Sequence, residues 1–247
     1  MDLGLKGQTA LITGASQGIG EATAEVFAEE GCALRLVARS AENLERIAKD
    51  LRARFSADVE FLPLDLSTPG VAQQVVDWAG NVDILVNNAG VTSFGDLWHI
   101  DDELWRKGFD LKFFAAVDLS RLLYPAMKAR GGGVILNNIG LAGETFDFNY
   151  VMGSSICAAF VSFTRSLGSL SLNDGIRVLG VNPGPVAVEY VKELFGEEGS
   201  KRFPGGRIAT TREVAELFAF LASPRSGYTS GTTIAIDGGL GARSVFA

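Results

Sequence analysis

Apolar residues along this chain fall into two patterns that alternate. Short continuous runs of Val, Ile, Leu and Ala recur at residues 9–13, 33–38, 59–64, 83–87, 134–139, 176–182 and 232–236. Between them the apolar positions take helical spacing, as at 21–30, 41–55 and 71–79, and over two longer stretches, 101–130 and 151–173. Runs that are apolar throughout belong to strands buried on both faces, and amphipathic helices are what cover such strands. The alternation predicts a Rossmann-type α/β fold: a doubly wound parallel sheet of about seven strands with helices on both faces. No repeat, low-complexity tract or linker interrupts it, so residues 1–247 read as one domain. The least regular segment, 188–210, is rich in Gly, Pro and acids and reads as a mobile substrate flap rather than a boundary.

Composition narrows the function. An apolar fraction of 47% is ample for a core, and 21% charged residues suit an ordinary surface. The net charge of −7 argues against nucleic acid, which needs a basic surface. No apolar stretch approaches the roughly 18 residues that would span a bilayer, and residues 1–7 have no signal-peptide anatomy. No membrane partner is therefore expected. Cys32 and Cys157 stand far apart without metal-ligand neighbours, which fits a reducing cytoplasm. His99 is the single histidine, so no histidine triad or multi-histidine metal site can be built.

The chemistry begins where the first run ends, in Thr13-Gly14-Ala15-Ser16-Gln17-Gly18-Ile19-Gly20, directly before a helical pattern. Glycines there permit a tight turn and let the backbone approach a pyrophosphate. The helix N-terminus that follows offers free N–H groups and partial positive charge to the phosphates. Gly14, Ser16, Gln17, Gly18, Ile19 and Gly20 are therefore candidate dinucleotide contacts. A glycine-rich turn without a ligand has the same composition, so the strand before it and the helix after it carry the reading.

Three later stretches agree in order and spacing: Asp65-Leu66 after the third run, Asn87-Asn88-Ala89-Gly90 after the fourth, and Asn182-Pro183-Gly184-Pro185 after the sixth. With the spacing of the glycine loop and the C-terminal Ile236-Asp237-Gly238-Gly239, the chain resembles the short-chain dehydrogenase/reductase family over roughly residues 5–240. The resemblance implies that Asp65 and Leu66 lie at the adenine, Asn88, Ala89 and Gly90 beside the ribose, and Pro183 and Gly184 beneath the nicotinamide. It also ties cofactor choice to the end of the second strand, where an acid favours NAD and an arginine can hold a 2′-phosphate. Leu36-Val37-Ala38-Arg39-Ser40 has no acid, so NADP(H) is favoured over NAD(H). The plain alternative is that Arg39 is a solvated strand-end charge. The helical stretches 109–127 and 151–172 resemble a pair that forms a four-helix interface in the family. They imply a homo-oligomer, dimer or tetramer, to which 239–247 could add a second contact.

The chain departs from the family where the chemistry should be. The resemblance implies a tyrosine that exchanges a proton with the substrate, a lysine four residues later, a serine that orients the substrate and an asparagine that anchors a proton relay. Aligned through Phe163-Thr164-Arg165-Ser166-Leu167, the tyrosine falls on Gly153 and the lysine on Cys157. Aligned through Leu141-Ala142-Gly143 and Phe109-Asp110-Leu111-Lys112, the serine falls on Gly140 and the asparagine on Lys112. Val188 stands where the family usually has a threonine. Tyr150 shares a helix face with Gly153, and Lys112 could fill the volume of a lysine at 157, so these two form the candidate acid/base pair. Their plain alternatives are a pocket wall and a surface charge. Two glycines on facing elements suggest an enlarged cavity beside the nicotinamide position. Cys157 has no paired base nearby and reads as a small buried side chain.

General acid–base catalysis is worth about 10²–10⁴ in rate, whereas hydride transfer belongs to the cofactor. A substrate needing little proton help, such as an iminium ion or a conjugated acceptor, would tolerate the losses. Phe94, Trp98, Phe146, Phe148, Tyr190 and Phe195 fall in segments that would rim the substrate site and suggest an apolar small molecule. Three readings stand: an oxidoreductase with an atypical proton route, acting on an apolar carbonyl-, imine- or enone-like substrate; a catalytically silent nucleotide binder, as sensor or hetero-oligomer subunit; and a lyase or isomerase using Lys112 or Tyr150.

Overall fold

In a computed structural model, which describes residues 2–90 and 92–242, the apolar runs become seven strands. These are β1 (Thr9–Thr13), β2 (Ala33–Ala38), β3 (Val59–Pro63), β4 (Ile84–Asn87), β5 (Gly133–Asn138), β6 (Ile176–Pro183) and β7 (Thr232–Ile236). They pair in parallel as β3-β2-β1-β4-β5-β6-β7. Alternate residues feed two cores. Ala10 and Ile12 of β1 pack with α1 (Gly18–Glu29), α2 (Ala41–Phe55) and α8 (Thr211–Ala222). Leu11 faces α3 (Val71–Ala79) and α5 (Ala115–Ala129) on the other side. There α6 (Val151–Ser171) packs beside α5 through Cys157, Phe160 and Ala116. From β1 the order runs outward through β2 on one side and β4 on the other. This reversal opens a crevice at the carboxyl ends of β1 and β4, where open α/β sheets bind ligands.

Three expectations are corrected. The stretch 101–130 is not one α-helix: α4 (Asp102–Phe109) passes through a π-turn, Asp110–Phe114, before α5 begins. A π-turn inserts a residue and re-aims the side chains after it, and apolar spacing bears no mark of it. The segment 188–210 is not irregular throughout, because it holds α7 (Glu189–Ser200), bent at Gly196 with φ 61°. Finally, α6 with its 3-10 extension, Val151–Asp174, is long and apolar enough to cross a membrane by length and composition, with mean hydropathy 1.2. Ser, Thr and Gly, with Arg165 near its middle, interrupt its apolar run, which hid it. In the fold this helix lies against the sheet: a Cβ on Gly168 would stand 2.8 Å from Val178 O of β6. Of the second suggested oligomer contact, residues 243–247 lie outside the described residues.

Candidate functional site

The crevice at β1 and β4 is a groove of about 760 Å³. Gly14, Ser16, Gln17, Gly18, Ile19, Arg39, Leu66, Asn88, Ala89, Gly90 and Lys112 all line it. Its floor is tied by hydrogen bonds between the loops after the two strands. Thr13 Oγ1 accepts from the N–H groups of Asn88 and Ala89, each at 2.9 Å. Asn88 Nδ2 donates to the carbonyls of Thr13 and Gly14, and Asn138 Nδ2 donates to Asn88 Oδ1 at 2.7 Å. Gly14 has φ +65°, and a Cβ there would lie 2.9 Å from Ala89 Cα, so only glycine allows this approach. Gly20 is not part of the wall: a Cβ on it would lie 2.2 Å from Gly14 O, and it serves helix–loop packing.

At the end of β2, Arg39 is exposed, and its guanidinium makes no ion pair or hydrogen bond among the described residues. Beside it Ser40 Oγ caps α2 by accepting from Asn43 N, and Ser40 and Asn43 line the groove with Arg39, so the helix N-terminus opens onto the same wall. Ser40 and Asn43 were not among the predicted contacts. The signal for them is a cap residue and its third neighbour opening an amphipathic helix. Asp65 turns from the groove into its own turn, accepting from Ser67 N at 2.9 Å and Ser67 Oγ at 2.7 Å. Those bonds hold its carboxyl below the usual carboxylate range, with Arg39 and Lys107 adding to them. Pro183 and Gly184 end β6 outside the wall, with Gly184 N donating to Ile236 O. From that side Ala187, Val188 and Glu189 reach the groove instead, and Val188 Cγ1 lies 3.1 Å from where a Cβ on Gly18 would be.

Lys112 sits in the π-turn, runs its stem over Gly90 and donates from Nζ to Asn138 O at 3.3 Å. Cys157 is buried, and its thiol donates to Ile139 O at 3.1 Å. Burial pushes that thiol up, with the charge of Lys112 opposing. Gly140, at φ +117°, faces Cys157 Sγ at 3.5 Å from its would-be Cβ. The enlarged cavity expected from the paired glycines is absent beside Gly153. The Tyr150 ring lies over that glycine, its Cζ 2.2 Å from where a Cβ would be. Tyr150 is outside the groove wall. Its hydroxyl and that of Thr92 share a short hydrogen bond, and its ring stacks on Phe94 with centroids 4.4 Å apart. Lys112 is therefore in the groove, and Tyr150 belongs to the aromatic segments next to it.

Those segments, after β4 and after β5, are joined by Gly95 N donating to Asn149 O at 2.8 Å. Trp98 and Phe148 approach at 6.2 Å between ring centres, while Phe195 packs edge-on against Phe203 at 5.0 Å. The side chain of Tyr190 lies outside the described residues. His99 Nδ1 is 2.6 Å from Asp96 Oδ1 on the exposed surface.

Fold, groove and glycine loop have known counterparts. A model of the short chain dehydrogenase family matches residues 8–199. The chain belongs to the short-chain dehydrogenase/reductase family. Its relatives in that family include the 3-oxoacyl-[acyl-carrier-protein] reductase of Vibrio cholerae, 32% identical across 96% of this chain and 99% of the relative. The L-sorbose reductase of Gluconobacter frateurii, solved with NADPH and L-sorbose, superposes with a TM-score of 0.92 at 35% identity, covering 99% of this chain and all of that one. A 7α-hydroxysteroid dehydrogenase solved with NADH and 7-oxo glycochenodeoxycholic acid superposes at 0.91 with 28% identity, covering 96% of each chain.

Proposed function

We propose that this family member is an NADP(H)-dependent oxidoreductase, working as a homo-oligomer on an apolar carbonyl-, imine- or enone-like small molecule. The observation that carries the reading is the groove with Arg39, which has no ion pair among the described residues, at its β2 end and a glycine-crowded turn at its centre. A dinucleotide fits these residues. Backbone N–H groups at the start of α1 would take the pyrophosphate, and Arg39 with the Ser40 hydroxyl and the α2 N-terminus would take a 2′-phosphate. Relatives solved with NADPH and with NADH both exist, so preference rests on Arg39 and on the lack of an acid at Ala38.

Bound there, the nicotinamide supplies or accepts the hydride. The chain's own residues hold the reactants and handle the proton. Lys112 puts a fixed positive charge on the groove wall, where negative charge on a substrate oxygen would be stabilised. The Thr92–Tyr150 hydroxyl pair, outside the groove wall, would supply the O–H donors. Gly140 and Gly153 have no side chain to contribute, and Cys157 is a buried thiol already donating to backbone. The same features favour the silent nucleotide-binding reading, so turnover is the deciding test. NADPH oxidation would be followed at 340 nm with 1-tetralone, 2-cyclohexenone and the iminium ion of an N-methylated cyclic imine. Tyr150→Phe and Lys112→Met should each slow the ketone about a hundredfold or more and slow the iminium ion little. NADPH bound tightly but never consumed would overturn the enzymatic reading.

A further inference from the structure

We infer that the substrate of this site is a planar, ring-bearing molecule without an acidic tail, and that Gly153 serves to seat the aromatic rim that recognises it. The inference rests on the oxidoreductase reading for the reaction but has its own geometry. Tyr150 precedes the first turn of α6 with φ −136° and ψ 35°, and its ring folds back over that turn. A Cβ at 153 would lie 2.2 Å from Tyr150 Cζ and 2.3 Å from Cε1. Any side chain at 153 therefore evicts the ring, whereas glycine gives it a seat. Seated there, the ring stacks on Phe94 at an interplanar angle of 29° and is pinned at its hydroxyl by Thr92.

Around this stack the segments 92–101 and 141–150 carry Phe94, Trp98, Phe146 and Phe148, which are 46, 77, 82 and 66% exposed. A concentration of apolar rings at the surface marks a recognition site. Flat faces reward stacking with a flat partner beyond the area they bury. The same segments hold Asp96, Asp101, Glu144 and Asp147 and no Lys or Arg. Arg165 reaches in from α6 and is held by Glu144. With Glu144 on Arg165 and Asp96 on His99, the acids left without a cationic partner among the described residues are Asp101 and Asp147, and these would repel a carboxylate or phosphate on the substrate but not an uncharged ring system.

The test is equilibrium dialysis of the whole protein, with and without saturating NADP⁺, against 2-acetylnaphthalene, 2-dodecanone of equal carbon count, and 6-acetyl-2-naphthoic acid. The aromatic ketone should bind about tenfold tighter than either of the others. Trp98→Ala should erase that preference. Gly153→Ala should erase it too, because the new Cβ takes the seat of the Tyr150 ring, and it should fold, because only the far end of that side chain has to move. Tyr150→Phe, which keeps the ring, should retain it. Equal binding of the three probes, tighter binding of the acid, or a preference that survives Gly153→Ala would overturn the inference. So would a change of oligomeric state in Trp98→Ala by light scattering, which would make the rim a subunit contact. Failure of NADP⁺ to bind would instead overturn the oxidoreductase reading, and ring preference without nucleotide would still decide this one.

Discussion

Cys157 shows how an environment assigns chemistry to a side chain. In sequence it stands where the family resemblance implies a lysine, which invites a thiolate nucleophile. In the fold it is buried, donates to Ile139 O, and has its thiol pushed up by desolvation. Reactive thiols need the opposite surroundings, accessible and electropositive. Cys32 is also buried, with its thiol raised to about 12 and bonded to Leu5 O. The expected outcome with a thiol-specific disulfide reagent is no reaction of the native protein and two equivalents released on unfolding. One rapidly reacting thiol in the folded state would restore Cys157 as a nucleophile. Tyr150 carries the converse lesson. Helical spacing put it on one face with Gly153, but Tyr150 stands just before α6 with φ −136° and ψ 35°, and its ring occupies the glycine's side-chain space. That outcome depends on side-chain rotation and on Phe94 and Thr92, which are distant in sequence.

Elements were legible where pattern and cap coincide. Every strand was placed to within one residue, since continuous apolar runs bounded by turn residues leave little choice of register. Breaks inside helices were not legible, as at the π-turn that delivers Lys112, because the residues there are ordinary helix formers. α8 was not among the helices read from the sequence although its start is well signalled: Thr210 and Glu213 form a capping box, Thr210 Oγ1 accepting from Glu213 N and Glu213 Oε2 accepting from Thr210 N at 2.8 Å. Arg207 first, and the Thr210 donors next, hold the Glu213 carboxyl down to about 2 from its ordinary 4.5. A carboxyl depressed in the folded state stabilises it fully above its unfolded value and loses that contribution as pH falls through the folded one. The stability difference between the native chain and Glu213→Gln should therefore be largest near neutrality. In urea unfolding it should shrink between about pH 4.5 and pH 2. A difference that stays constant over that range would remove the carboxylate from the cap.

At the scale of the whole molecule, a reversal of strand order makes the groove, and the glycine loop, Asn88 and Arg39 are brought to it from three separate strand ends. The sequence marked just under half of that wall, the part where a backbone-driven site needs glycine and strand-end residues at fixed spacing. Gly20, Asp65, Pro183 and Gly184 carry the motif yet shape or support the wall from behind. The substrate end was less legible, since it is assembled from side chains on two loops, far apart in sequence, that meet through Gly95 and Asn149, Thr92 and Tyr150, and the Phe94–Tyr150 stack. The most direct test of the whole account is a calorimetric titration of the native chain and of Arg39→Asp with NADPH and NADH. The expected result is micromolar NADPH binding, NADH at least tenfold weaker, and an Arg39→Asp variant that loses about tenfold to a hundredfold in NADPH affinity. No heat and no binding with either nucleotide would contradict it.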